Sequence, residues 1–200
     1  MNAATLIENI KTGVETMKYF ARAEKYIMKK SDSNFLIGLF AFIYFTSQII
    51  IGSILHKVGT LDALALQTTL CSEKFKAIVL EWMASGRIGF YYQHFYLDFI
   101  HPVWYSIFLS LLIARAFKMN NVNPKFNGIV LTPFLAGLCD IFENSMHVYF
   151  LADLNRATPV LVALSGLATN TKWILSLSVT VMAIVLITYR IVKKFSIRKI

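Results

Sequence analysis

The stretch 129–151, IVLTPFLAGLCDIFENSMHVYFL, is apolar for long enough to cross a bilayer, yet it carries Asp140, Glu143, Asn144 and His147 at spacings i, i+3, i+4 and i+7. On a helix that spacing puts all four on one face. The face is expected to look inward, because ionisable groups are expensive to hold against hydrocarbon and those that persist mark functional sites. Working outward, three further runs have comparable length: about Phe35 to Leu55, Phe99 to Phe117 and Trp173 to Ile191. Each approaches the ~20 residues that a helix needs to cross about 30 Å of hydrocarbon. The expectation is an all-α, polytopic membrane protein with four transmembrane helices.

Composition agrees. Apolar residues make up 56% of the 200 and the mean hydropathy is +0.58, above what a soluble domain of this size carries. A buried soluble bundle would accommodate the charge inside the second and third runs, but the first has none and the fourth only Arg190 at its very end. The first run begins after thirty-four residues rich in Lys and Glu, with no small-residue cleavage pattern following it, so it reads as an anchor. Cys71 and Cys139 fall in a loop and within a span, which is no disulfide framework.

The net charge of +9 is concentrated at the ends. Lys11, Lys18, Arg22, Lys25, Lys29 and Lys30 precede the first run, while Arg190, Lys193, Lys194, Arg198 and Lys199 flank the end of the fourth. Arg115, Lys118 and Lys125 crowd the connection between the second and third. By the positive-inside rule both termini and this connection are cytoplasmic, and a bacterial inner membrane suits so short a chain. Loop three holds Arg156, Asp153 and a boundary Lys172; loop one, with Lys57, Lys74, Lys76 and Arg87, is the weak vote. No fold-specific motif supports nucleic-acid binding, and basic ends beside apolar runs are explained by anionic headgroups.

Three regions follow: a cytoplasmic amphipathic segment 1–34, a transmembrane domain 35–191 with an outer loop 56–89, and a basic tail 192–200. In the first, Leu6, Ile10, Val14, Met17 and Ala21 recur at helical spacing opposite basic residues, the pattern of an interfacial helix. Ser31 to Asn34 form a polar stop and cap. The outer loop predicts a short helix from about Ser72 to Ala84. Tyr91 to Tyr96 is an aromatic collar of the kind found at membrane boundaries. Pro102 either opens a helix or bends one begun near Arg87. After Pro159 an apolar piece runs to Leu167 and is interrupted by Asn170, Thr171 and Lys172, which predicts a separate outer or re-entrant helix.

With this topology Asp98 and His101 lie in the outer part of the second span and His147 near the outer end of the third, so a hollow can gather His94, Asp98, His101, Asp140, Glu143, Asn144 and His147. Blander roles compete: His94 as an interface hydrogen-bonder, His101 as a turn cap, Asp98 as a helix cap. Asp140 and Glu143 lie where no helix end satisfies them. Such a pair can share a proton, act as acid and base, or hold a cation. Asp140, Glu143 and His147 would offer a divalent metal ligands along one face, although neither HExxH nor paired ExxH motifs occur.

The leading expectation is a membrane-embedded hydrolase acting on a lipid-like substrate, with Glu143 or Asp140 as general base and His101 or His147 as acid or metal ligand. Asp98 belongs to the same catalytic set, and His94, Asn144 and Tyr105 contact substrate. Ser145 and Ser106 lack a nucleophile signature. The alternatives are a structural or partner-binding subunit of a membrane complex, and a proton-coupled transporter or amphiphile-binding protein, for which a homodimer is expected. The partner common to all is membrane lipid or another amphiphile. In architecture alone the chain resembles small multispan proteins that bind or alter sterols and other lipids through intramembrane acids; no diagnostic string carries the likeness.

Overall fold

The computed structural model describes residues 3–197, and among them every regular element is helical. Eight α-helices occur: α1 (Ala3–Lys30), α2 (Asn34–His56), α3 (Thr60–Thr68), α4 (Ser72–Ala84), α5 (Ile88–Asp98), α6 (His101–Met119), α7 (Thr132–Ala152) and α8 (Pro159–Ile197). A 3₁₀ segment, Pro124–Leu131, leads into α7. Four helical stretches are long and apolar enough to cross a membrane: α2, α6, α7 with its 3₁₀ lead-in, and α8.

Local chemistry sets the boundaries. Ser33 caps α2 by accepting the Leu36 amide at 3.2 Å. Pro102 sits in the first turn of α6, where its missing N–H goes unneeded, and the chain breaks there between α5 and α6. The short helix expected in the outer loop is present with the same ends, Ser72–Ala84, and buries Phe75, Val79 and Trp82. Its neighbour α3 was not anticipated; it starts at Gly59, whose φ of +102° favours glycine, and buries Ala63, Leu66 and Gln67 along one face.

One expectation is overturned. The segment after Pro159 is no separate piece: α8 is continuous over 39 residues, about 58 Å at 1.5 Å per residue. Its polar stretch is absorbed rather than broken. Thr169 Oγ1 donates to the Ser165 carbonyl at 3.1 Å, and Asn170 Nδ2 donates to Gly166 at 2.7 Å and to Thr68 at 3.1 Å. Gly166 makes the last contact possible, since a Cβ there would lie 2.2 Å from the Thr69 carbonyl oxygen.

Two apolar cores result. One, labelled the outer core after the loop expected to lie outside, joins α3, α4 and α5 to the ends of α7 and α8 through Phe75, Trp82, Tyr91, Phe95, Phe150 and Val162. The inner one packs α6 against α7 and α8 through Phe108, Ile113, Ala114, Ala136, Val179 and Ala183. Among the long helices α6 is the most enclosed, whereas α2 and α8 turn most of their apolar residues outward.

The helix α1 packs on the 3₁₀ segment and on α6. Leu6, Ile10, Lys11 and Val14 lie outside the residues whose side chains are described, and Arg198 and Lys199 outside the described chain. Of the expected apolar stripe, Met17 and Ala21 are exposed; Ile27 packs on the inner core instead, and Phe20 and Ala23, also exposed, edge a concavity beside it.

Candidate functional site in the polar layer

Along each helix that crosses from one core to the other, the polar residues fall between them. On α7, Asp140 and Glu143 lie between Ala136 and Phe150; on α8, Lys172 lies between Val162 and Val179. Asp98 and His101 bridge the α5–α6 junction between Phe95 and Tyr105. All these polar side chains are buried.

The centre of the layer is an ion triad that sequence reading missed. Lys172 Nζ donates to Asp140 Oδ1 at 2.9 Å and to Glu143 Oε2 at 2.6 Å, with both carboxylates and the ammonium buried. Lys172 was expected at a loop boundary. The available signal was that it, too, is an ionisable residue inside a predominantly apolar 159–189 run.

The expected metal site is therefore corrected. Among the described residues no group of three or more His, Cys, Asp or Glu side chains is arranged to hold an ion. An ammonium already bridges the two carboxylates, and His147 lies two turns from Asp140, about 10 Å along the axis at 1.5 Å per residue. His147 belongs to the outer core: its Nδ1 is 2.8 Å from the Tyr91 hydroxyl and its ring packs on Phe75 and Phe150.

The remaining sequence-selected residues divide. Asn144 Nδ2 donates to the Asp98 carbonyl at 3.0 Å, tying α7 to the end of α5. His94 packs at a tilt against the Tyr91 and Phe95 rings, with Nδ1 on the Tyr91 carbonyl and Nε2 3.8 Å from Asp98 Oδ2. His101 Nδ1 meets Ser47 Oγ on α2 at 2.8 Å, and its ring stacks on Tyr44. No side chain caps α6, so Asp98 does not serve as its cap. Arg115 lies at the far end of α6, bonded to Asn34 and the Asp32 carbonyl, away from this layer.

A cavity of about 200 Å³ opens beside the triad. Asp98, His101, Tyr105, Asp140 and Lys172 form its polar wall, with Gln48 and Gln67; Ile51, Leu109 and Leu177 are among its apolar lining. Glu143, Asn144, His94 and His147 stand behind that wall. The cavity lies between α2 and α8, which both pack on α6 and hardly touch each other. Exposed Gln48, Trp173 and Leu177 mark its mouth.

Electrostatics single out Asp98, the cavity carboxyl not paired with Lys172. Burial lifts it from its ordinary 3.8 to about 7, with repulsion from Asp140 adding to the rise and Lys172 opposing it. Burial acts on His94 in the opposite sense, lowering it from 6.5 to about 4, so its imidazole is neutral at pH 7. A neutral histidine stabilises the Asp98 carboxylate less than an imidazolium would.

No family model, curated protein or solved structure matches the chain. Its buried polar cluster resembles an active site in kind, and its chemistry must be read from its own geometry.

Proposed function

We propose that this is an integral membrane protein that takes the head of a lipid-like amphiphile into the cavity between α2 and α8 and performs metal-free acid–base chemistry on it through Asp98. One observation carries the reading: Asp98, a buried carboxyl that Lys172 does not pair, lines a cavity with an apolar side, open laterally between two helices. A volume of about 200 Å³ is below the ~300–1,000 Å³ of sites that enclose a whole small molecule. The cavity suits a head group whose tail stays outside, along Leu177 and Trp173.

The base role moves from Asp140 and Glu143, held by Lys172, to Asp98. In the hydrolytic form of the reading Asp98 takes a proton from water and returns it to the leaving group, while the buried Tyr105 hydroxyl donates to the oxygen that gains charge. His101, fixed by Ser47, orients the head, and the Lys172 triad supplies a rigid field. α3 and α4 cover the site from outside. Membrane orientation follows the charge pattern, with both ends cytoplasmic and residues 192–200 a basic tail. Withdrawing Lys172 from loop three leaves Arg156 there, paired with Asp153 at 3.7 Å, which strengthens the outer assignment of that loop.

A structural reading is favoured by the triad, in which Lys172 pairs with both carboxylates without a ligand. The two separate by experiment. In vesicles of phosphatidylcholine, brominated long-chain esters should quench Trp173 fluorescence, with hydrolysis followed by mass spectrometry. Trp82 and Trp104 are replaced by Phe so that the mouth alone reports. Turnover should change with a midpoint near pH 7, rising as Asp98 deprotonates, and Asp98→Asn should abolish it while leaving quenching in place. Turnover with an unaltered pH profile in Asp98→Asn would remove Asp98 from the chemistry; absence of quenching in the parent protein would reject the cavity as an amphiphile site.

A further inference from the structure

At the opposite end of the molecule a second concavity, of about 980 Å³, runs between α1, the start of α2, α6 and α7. Its walls are almost wholly apolar, including Phe20, Ile27, Phe40, Leu111 and Leu135, and the one charged side chain that lines it is Lys30. The groove reaches from Lys30, at the end of α1, to Ile107 and Leu138. Ile107 lies twelve residues before the Met119 end of α6, about 18 Å along its axis. That shape, long, apolar and charged at one end, matches an acyl chain with an anionic head.

The charge around the mouth points the same way. Lys18, Arg22, Lys25 and Lys29 form a stripe on α1 opposite its groove-facing residues, and Lys125 sits on the adjacent 3₁₀ segment. Lys118 and Arg115 are already engaged by Asp32 and Asn34, which leaves Lys30 as the cation positioned at the groove. Lys30 Nζ lies over the Tyr26 ring, 5.4 Å from its centroid. Gly128 on the groove wall has open space where a Cβ would be, with nothing within 4 Å.

From this groove, its single positioned lysine and the basic surface around it, we propose that the α1 side of the protein holds an anionic glycerophospholipid, with its chain beneath α1 and its phosphate on Lys30. The site is independent of the acid–base reading. It makes α1, which packs on the 3₁₀ segment and on α6, also a strap over a lipid. An interfacial helix would still bind anionic membranes through its outer stripe, so the distinguishing feature is a lipid held individually, beyond the charge of the surface.

The test is electron spin resonance on the full chain in phosphatidylcholine vesicles, doped in turn with chain-labelled phosphatidylglycerol and chain-labelled phosphatidylcholine. The motionally restricted population should favour phosphatidylglycerol, and the preference should fall with salt. Lys30→Gln should lower it about five-fold, the factor carried by one cation near an anionic headgroup. Gly128→Leu, which adds bulk to the groove lining, should reduce restriction of both labels while the helical circular dichroism stays unchanged. Equal restriction of the two lipids by the parent protein would overturn the proposal, a measurement that needs no variant. So would a Gly128→Leu protein that keeps its lipid but loses cross-linking between copies, since a second copy would then be the occupant.

Discussion

The outer and inner cores are built from different material. The outer core is rich in aromatic rings, with Phe75 and Trp82 of α4, Tyr91 of α5 and Phe150 of α7 fully buried where the short helices meet the end of α7. The inner core sets fewer rings, Tyr105, Phe108 and Phe117, among small and aliphatic residues, including Ala114, Ala116, Ala136 and Ala183, where long helices approach closely. Large rings fill the irregular space under short elements; small side chains let extended helices meet along their length. Neither mode of packing extends across the level at which they meet. That level holds Asp98, His101, Asp140, Glu143 and Lys172, and a cavity.

The contrast breaks most severely at the triad. Lys172→Met should leave Asp140 and Glu143 buried without their cation, at a cost of about 3–5 kcal/mol. Denaturant titration in micelles, followed by circular dichroism, measures the loss. Adding Asp140→Asn and Glu143→Gln should restore most of it, because neutral groups no longer need the ammonium. If the single variant is as stable as its parent, the layer is not held by this network and the two cores are coupled in some other way.

A second test asks whether the cores unfold into different solvents. Trp82→Ala should cost about 3–5 kcal/mol, through lost transfer energy plus the cavity left behind, and should raise hydrogen exchange in α4 and α5. Ile113→Ala, in the inner core, should cost less. Helices that separate within lipid do not meet water, so only packing contacts are forfeited. Equal costs would mean that the inner core, like the outer, is driven together by exclusion from water.

The parts of this architecture legible in the sequence are those with a local signature. Four apolar runs found their helices, Ser72–Ala84 was delimited by its own pattern, and the inward face of α7 followed from helical spacing. Facing, however, is not meeting. His147 shares the face of Asp140 but stands two turns higher, where Tyr91 and Phe75 rather than the carboxylates surround it. Lys172 lies 29 and 32 residues from its partners, on another helix. No periodicity within α8 reveals that two acids await it. For the same reason Asn170 to Lys172 reads as a break when taken alone and is continuous helix in place, its polar atoms bonded to Thr68, Gly166 and the triad. The α3 helix was hidden by its length of nine residues, too short for a strong periodic signal.

The smallest expected effect lies in how closely backbone approaches backbone on the two sides of the layer, and glycine reports it at each. At Gly166, on the outer side, an added Cβ would stand 2.2 Å from the Thr69 carbonyl oxygen and 3.0 Å from its carbon, both backbone atoms that cannot rotate away. Gly166→Ala should therefore force α8 from the α3–α4 connection, costing about 1–3 kcal/mol and loosening the Asn170 bond to Thr68. At Gly137, on the inner side, the clash is 2.6 Å to Ser106 Oγ, a hydroxyl that can turn, with the nearest backbone atom, Pro102 O, at 3.2 Å. Turning it would give up the 2.7 Å hydrogen bond that Ser106 donates to the Pro133 carbonyl, a net loss of about 1 kcal/mol. Thermal unfolding of the two variants should thus rank Gly166→Ala below Gly137→Ala. The reverse order would place the tighter constraint on the inner bundle, making the outer helices a cover that the fold can shift without strain.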